Sequence, residues 1–264
     1  MKFSHPFKNG TISYEVTGKG SAVVLLHGFL ADKSLWENTS SDLSKTYRIF
    51  SIDLPGHGDS SSFGYLHTME FMAEAIFQVL RFNRIRKTFL IGHSLGGYVA
   101  LAFAEKYPDM VKALLLINST AKSDTIERKK SREQLKLLFL NNKTQTLKHL
   151  IPTFFTLDNK DRKLLITKYT AMAKKCALKG IAANIEGMKQ RKDREVILKF
   201  APYPFAYLIG KKDHSLNPTL LIKETQLNPK GSFKIIENGG HMLPMEAREE
   251  TTQAIKEFIN HSKL

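Results

Sequence analysis

Gly92-His93-Ser94-Leu95-Gly96-Gly97 places a serine between two glycines, each two residues away. The pattern follows the apolar run Thr88 to Ile91 and precedes the helix-like segment Leu95 to Tyr107. A strand that turns this sharply into a helix strains the backbone of the serine, and only small neighbours such as Gly92 and Gly96 leave room for the turn. The Ser94 hydroxyl then projects over the edge of a sheet. A serine hydroxyl is a weak nucleophile, so it needs a base, and the base needs a partner that fixes its tautomer. His241, in Gly239-Gly240-His241-Met242-Leu243, and Asp213, just beyond Gly210, both follow strand-like runs. Open α/β sheets build their sites at the carboxyl ends of strands, and there all three side chains meet. His214 is the rival base, but His241 has the glycine-flanked position after a strand. His93 reads as a neighbour of the nucleophile, and His57 as a support for the Pro55 to Ser60 loop.

Acyl transfer also needs donors for the oxyanion, each typically worth about 10²–10³ in kcat. His27-Gly28-Phe29-Leu30 follows the run Ala22 to Leu26, so the Phe29 N–H can face the same point as the N–H of Leu95, the residue after the serine.

The elements that must position these groups are legible as alternating strands and helices. Asn9-Gly10 is a hairpin turn signal ahead of Thr11 to Val16. Ala22 to Leu26, Arg48 to Ile52, Thr88 to Ile91 and Ala113 to Asn118 read as buried strands. Thr68 can cap a helix that buries Met72, Ala75, Ile76, Val79 and Leu80, and the helix after Ser94 stops at Pro108. Strands resume at Phe205 to Gly210 and Phe233 to Ile236, and a helix from Glu246 to about Asn260 closes the chain. Between them, residues 121–200 show no convincing strand. The clusters Leu135, Leu138, Phe139 and Leu164, Ile166, Tyr169, Met172 mark this segment as a helical cap. The organisation expected is a core of residues 1–120 and 201–264, with the cap at 121–200.

Of 264 residues, 42% are hydrophobic and 25% charged, which excludes disordered and collagen-like chains. Cys176 is the single cysteine and no Cys/His spacing resembles a zinc site, so neither a disulfide scaffold nor a metal is expected. No apolar run is long enough to span a bilayer, and the first ten residues lack the apolar stretch of a signal peptide. The reading is a cytoplasmic protein without a membrane partner. The net charge of +15 is concentrated in the cap, which carries 20 basic against 8 acidic residues. No nucleic-acid recognition motif accompanies that charge. Thirty lysines against ten arginines describe a lysine bias more than an anion clamp, so the charge reads as a solvated face, with guidance of an anionic substrate as the alternative.

With these motifs in hand, the sequence resembles the α/β-hydrolase fold family, with its capped single-domain enzymes as the nearest group. The resemblance rests on His27-Gly28-Phe29, Asp53-Leu54-Pro55-Gly56-His57-Gly58-Asp59-Ser60, the serine turn, Gly210-Lys211-Lys212-Asp213 and Gly240-His241, in family order. It implies an α/β fold with a mostly parallel eight-stranded sheet flanked by helices, a first connection that is antiparallel, and a cap inserted after strand 6. Some relatives carry the acid after strand 6, where Asn118-Ser119-Thr120 offers no carboxylate, which favours Asp213. The expected activity is that of a serine hydrolase cleaving a small carboxylic ester or thioester through an acyl-enzyme on Ser94, without a cofactor. The expected acyl pocket has Phe29, Leu30, Met242 and Leu243 as its lower wall, with Phe154, Phe155, Leu157, Ile181, Ile185 and Met188 available from the cap. Two other classes remain open. One is a lyase or C–C bond hydrolase, similar to the menaquinone-pathway enzyme that eliminates pyruvate, although Tyr98 stands where that group carries an arginine. The other is a slow-turnover ligand sensor.

Overall fold

The computed structural model describes residues 1–156, 158 and 160–262, so the expectation for Leu157 lies outside the described residues. β1 (Lys2–Phe7) and β2 (Gly10–Thr17) form an antiparallel hairpin in which Phe7 pairs with Gly10. The turn sits one residue earlier than Asn9-Gly10. Lys8 takes the positive φ of 51°, while Gly10 opens β2 where a Cβ would come within 2.6 Å of the Ser61 side chain.

From there the chain alternates: β3 (Ala22–Leu26), α1 (Glu37–Leu43), β4 (Arg48–Ile52), α2 (Met69–Phe82), β5 (Thr88–His93), α3 (Leu95–Lys106) and β6 (Val111–Ile117). Among the described residues five α-helices then intervene, α4 (Ile126–Asn141), α5 (Lys143–Leu150), α6 (Arg162–Lys175), α7 (Leu178–Lys189) and α8 (Glu195–Lys199). β7 (Phe205–Gly210), α9 (Pro218–Thr225), β8 (Gly231–Ile236), α10 (Leu243–Glu246) and α11 (Arg248–His261) complete the fold. The single closing helix expected from the sequence is thus two, broken at Ala247, whose φ of −131° and ψ of 53° are not helical. Among the described residues no helix is long and apolar enough to cross a membrane.

The eight strands make one sheet in the order β1-β2-β4-β3-β5-β6-β7-β8. β2 is antiparallel to both neighbours, and every other pair beyond it is parallel. Because β3 leads outward to β4 on one side while β5 lies on the other, the crevice between the carboxyl ends of β3 and β5 is a switch point. Sheets of this kind hold their ligands at such a point. Leu26 pairs with Gly92 there, which brings His27-Gly28-Phe29 beside Ser94.

β3 and β5 are buried along their whole length, as continuous apolar strands covered on both faces must be. α2 packs on α3, and α1 on α11. The Thr68 hydroxyl accepts the Phe71 N–H and caps α2, and all five expected core positions of that helix are fully buried. Each of the large ones contributes about 1.5–3 kcal/mol of burial.

The insert is tied down at several points. The Tyr169 hydroxyl on α6 donates to the Phe29 carbonyl at 2.5 Å. Asn184 on α7 donates to the Pro55 carbonyl at 3.1 Å, and buried Arg194 joins Glu70 of α2 to Glu105 of α3. Leu138 and Leu164 do not pack as the sequence clusters predicted: both are exposed, while Phe139, Tyr169 and Met172 carry the buried face.

Candidate active site

Ser94 sits between β5 and α3 with φ 51° and ψ −114°, a backbone that a non-glycine residue adopts only when its surroundings impose it. The surroundings are backbone on both sides. A Cβ at Gly92 would meet the Gly96 carbonyl oxygen at 2.3 Å, and one at Gly96 would meet the Leu26 carbonyl oxygen at 2.3 Å. The strained turn therefore depends on both glycines.

His241 Nε2 lies 3.1 Å from Ser94 Oγ, and its Nδ1 lies 2.8 Å from Asp213 Oδ2. The second carboxylate oxygen, Oδ1, accepts the Ser215 N–H at 2.7 Å. Burial alone would raise the Asp213 carboxyl, but the His241 ring and the Ser215 N–H outweigh it and hold the group below its ordinary value. An ionised acceptor at Nδ1 leaves the Nε2 lone pair for the serine hydroxyl. The rival His214 is exposed.

The loop that carries His241 is held by groups with no sequence signature. Asn118, fully buried at the end of β6 with φ 42°, donates through Nδ2 to the carbonyls of Gly240 (2.7 Å) and His241 (2.9 Å). Its Oδ1 accepts the Gly210 N–H at 2.8 Å. One side chain thereby ties the ends of β6 and β7 to the His241 loop. Glu246 adds a second clamp, accepting the Met242 N–H at 3.0 Å and the Thr156 N–H at 2.7 Å. Asn118→Ala removes the three hydrogen bonds that tie the His241 loop to β6 and β7, and if His241 acts in the chemistry a small displacement can cost about 10²-fold. The expected result is a fall in kcat of about 10- to 100-fold with KM changed far less, measured by steady-state ester hydrolysis.

The two expected oxyanion donors are fixed through their peptide planes. The Gly28 carbonyl accepts His27 Nδ1–H at 2.8 Å and the Ala31 N–H at 3.2 Å. His27 must be neutral in this tautomer, because its Nε2 accepts the Leu54 N–H at 3.0 Å. The Ser94 carbonyl accepts the Ser119 hydroxyl at 2.8 Å and the Gly97 N–H at 2.9 Å. In a planar trans peptide the N–H points opposite the carbonyl, so these bonds orient the Phe29 and Leu95 N–H groups. Gly28 also lies against Ser94, since a Cβ on it would be 3.4 Å from Ser94 Cβ.

His93 Nε2–H donates to the His241 carbonyl at 2.8 Å, as a positioning neighbour would. Burial first, then the nearby His241 ring, pushes its pKa down to about 3. Burial likewise lowers His27, His57 and His67. These four rings are neutral in the folded chain and take up protons near the ordinary value of about 6.5 when it unfolds. A depressed folded pKa gives stability that is complete above the unfolded value and lost as pH falls below it. Thermal unfolding midpoints are therefore expected to fall steadily from about pH 7 to about pH 5, before most carboxylates titrate. A flat profile over that interval would contradict the neutral assignment.

A cavity of about 270 Å³ opens on Ser94 and His241. Phe29 and Phe154 line it, with the Phe154 ring 6.0 Å from that of His241. Leu30, Phe155 and Met242 do not, which corrects the expected pocket wall. Leu30 is fully buried at a left-handed turn, φ 67°. Phe155 is buried against the Tyr169 ring at 5.9 Å, and Met242 is buried with its N–H held by Glu246. Leu243, Ile181 and Ile185 are likewise core residues, whereas Met188 does reach the cavity. Sequence reasoning missed Tyr98, Arg128, Arg132 and Leu216 in its wall.

Residues 21–247 match the profile of the alpha/beta hydrolase fold. The dihydrolipoyllysine-residue acetyltransferase component of the acetoin cleaving system of Pseudomonas putida is 27% identical, over 93% of this chain and 65% of its own length. A pimeloyl-[acyl-carrier protein] methyl ester esterase of Aliivibrio fischeri (strain MJ11) is 31% identical, over 56% of this chain and 52% of its own length. The chain thus spans under two thirds of the length of these curated relatives. Among solved structures, a thermophilic esterase from Thermogutta terrifontis, described with malate bound, is similar over 99% of both chains, with a TM-score of 0.93 and 29% identity. An esterase from Exiguobacterium antarcticum covers 97% of this chain and 96% of its own, with a TM-score of 0.85. At 21% identity that likeness shows the fold alone.

Proposed function

The chain belongs to the alpha/beta hydrolase fold family, and from that premise we propose that it is a serine hydrolase of small carboxylic esters. The observation that carries this reading is the linked series Ser94 Oγ, His241 and Asp213, at 3.1 and 2.8 Å, at the floor of a cavity. The esterase likeness at 29% identity over the full chain supports it.

In the first half-reaction His241 Nε2 takes the Ser94 proton as Oγ bonds to the substrate carbonyl carbon. The carbonyl π electrons move onto oxygen, facing the N–H groups of Phe29 and Leu95. Collapse of this tetrahedral adduct breaks the C–O bond to the alcohol, which leaves with the proton from His241, and an acyl group stays on Ser94. Water repeats the sequence from the other side, giving its proton to His241 and releasing the acid. Asp213 remains ionised throughout and stabilises the charged imidazole.

The test is steady-state hydrolysis of nitrophenyl esters of increasing acyl length at neutral pH. Repeated turnover is expected, with a maximum at short to medium chains, because a cavity of about 270 Å³ limits the size of group it can hold. Absence of turnover across the series would refute the ester reading.

A further inference from the structure

Helix α4 crosses the cavity wall and turns Arg128, Ser131, Arg132 and Leu135 toward it, positions three and four apart on one helical face. Two of the four are guanidinium groups. Arg132, with a side chain 11% exposed, grips the Asp124 carboxylate through Nε and Nη2. Its Nη1 is left facing the Met188 sulfur at 3.3 Å, a weak acceptor. Arg191 reaches the same carboxylate at 2.6 Å and sits over the Tyr98 ring, with Cζ 4.1 Å from its centroid. Arg128 Nε is 3.9 Å from that carboxylate, and its Nη1 donates to the Ser215 carbonyl at 3.3 Å. Asp124 is buried and serves all three.

The balance of charge is uneven. Three guanidinium groups share one carboxylate, and among the described residues no aspartate or glutamate lines the cavity. Guanidinium charge drawn out of water is stable only when it is compensated. Glu224, in the neighbouring pocket that Arg128 also lines, is already taken up by Thr120, Ala121 and Tyr207. Surplus positive charge therefore stands in the wall above Ser94. The guanidinium fork matches a carboxylate in shape and charge.

We propose that α4 carries a carboxylate subsite: the substrate is an ester with a second, free carboxylate remote from the scissile bond, and Arg132 Nη1 and Arg128 hold it. The inference rests on the hydrolase reading for its substrate, but not for the binding event. It also reassigns part of the cap charge, since Arg128 and Arg132 of the Lys-rich segment line the cavity while Lys129 and Lys130 do not.

Two measurements separate the subsite from the hydrolase reading. The first is calorimetric titration of glutarate into the Ser94→Ala chain at low salt, alone and combined with Arg132→Gln or Arg128→Gln. Binding that weakens about tenfold or more in these variants is expected, since each loses a charge-assisted hydrogen bond to the carboxylate. Absent binding, or binding unchanged in both variants, overturns the subsite whether or not the chain hydrolyses esters. Asp124 keeps Arg191 in the first variant, and Arg128 is half-exposed, so a folding failure in both is not expected. The second compares kcat/KM for nitrophenyl hemiesters of succinate, glutarate and adipate with neutral esters of equal length. Butanoate esters of hydroxybenzoates place the charge on the alcohol side. A tenfold preference for one charged series, lost in the arginine variants, is expected and tells which half of the ester carries the carboxylate. Equal values for all series, or a preference that survives both variants, overturn the role in substrate recognition. No turnover of any ester counts against the hydrolase reading alone.

Discussion

Ser94→Ala is expected to lower ester turnover by on the order of 10⁴-fold or more while the chain stays folded. The loss is large because one atom supplies the bond-forming electron pair, and neither His241 nor the oxyanion donors can replace it. The fold should persist for a physical reason. The strain at Ser94 is in its backbone, at φ 51°, and is imposed by Gly92 and Gly96 packing against carbonyl oxygens. Alanine meets the same backbone constraint, and the Ser94 carbonyl keeps its bonds to Ser119 and Gly97. The check is kcat/KM together with the thermal midpoint. A variant with a normal midpoint and most of its activity would remove Ser94 from the chemistry.

Asp213→Asn comes next in size, with an expected loss of about 10³- to 10⁴-fold in kcat. The amide keeps the shape of the carboxylate, but the donor it brings can face His241 Nδ1. The ring then holds its proton on Nε2 and loses the lone pair that accepts the Ser94 proton. The charge that stabilises the imidazolium is lost as well. KM should change little, because Asp213 is buried and does not line the cavity. Activity that returns at high pH in the variant would show that tautomer control is the lost property. A rate near that of the native chain would place the acid elsewhere.

What the sequence made legible was chemistry with a local steric signature. Gly92 and Gly96 can be read as necessary because the strand-to-helix turn is contained in six residues. Thr68 and the five core positions of α2 follow from capping and helical period in the same way. Asn118 illustrates the opposite case. Its partners Gly210, Gly240 and His241 lie about a hundred residues away, so Asn118-Ser119-Thr120 showed only a missing carboxylate and not the clamp and carbonyl anchor it contains. Glu246 was legible only as the start of a helix, because Thr156, which it bonds, comes from the cap.

The pocket wall was harder to read, because hydrophobicity says that a side chain is buried but not on which side of a loop. Phe154 and Phe155 are adjacent and equally apolar and both pack on Tyr169, yet only Phe154 also faces His241 and lines the cavity. Composition concealed the arginines for a similar reason. A Lys-rich segment averages over its faces, and only the rotation of α4 separates Arg128 and Arg132, which line the cavity, from lysines that do not.

The central claim is that Ser94 forms a covalent acyl intermediate. Rapid mixing with nitrophenyl acetate, acid quenching within the first turnover and peptide mass spectrometry test it most directly. The account predicts a burst of nitrophenol approaching one equivalent and an acetyl group on the peptide containing Ser94, both absent from Ser94→Ala. Steady release of nitrophenol with no burst and no acetylated Ser94, or acetylation at another residue that proceeds equally in Ser94→Ala, would contradict it.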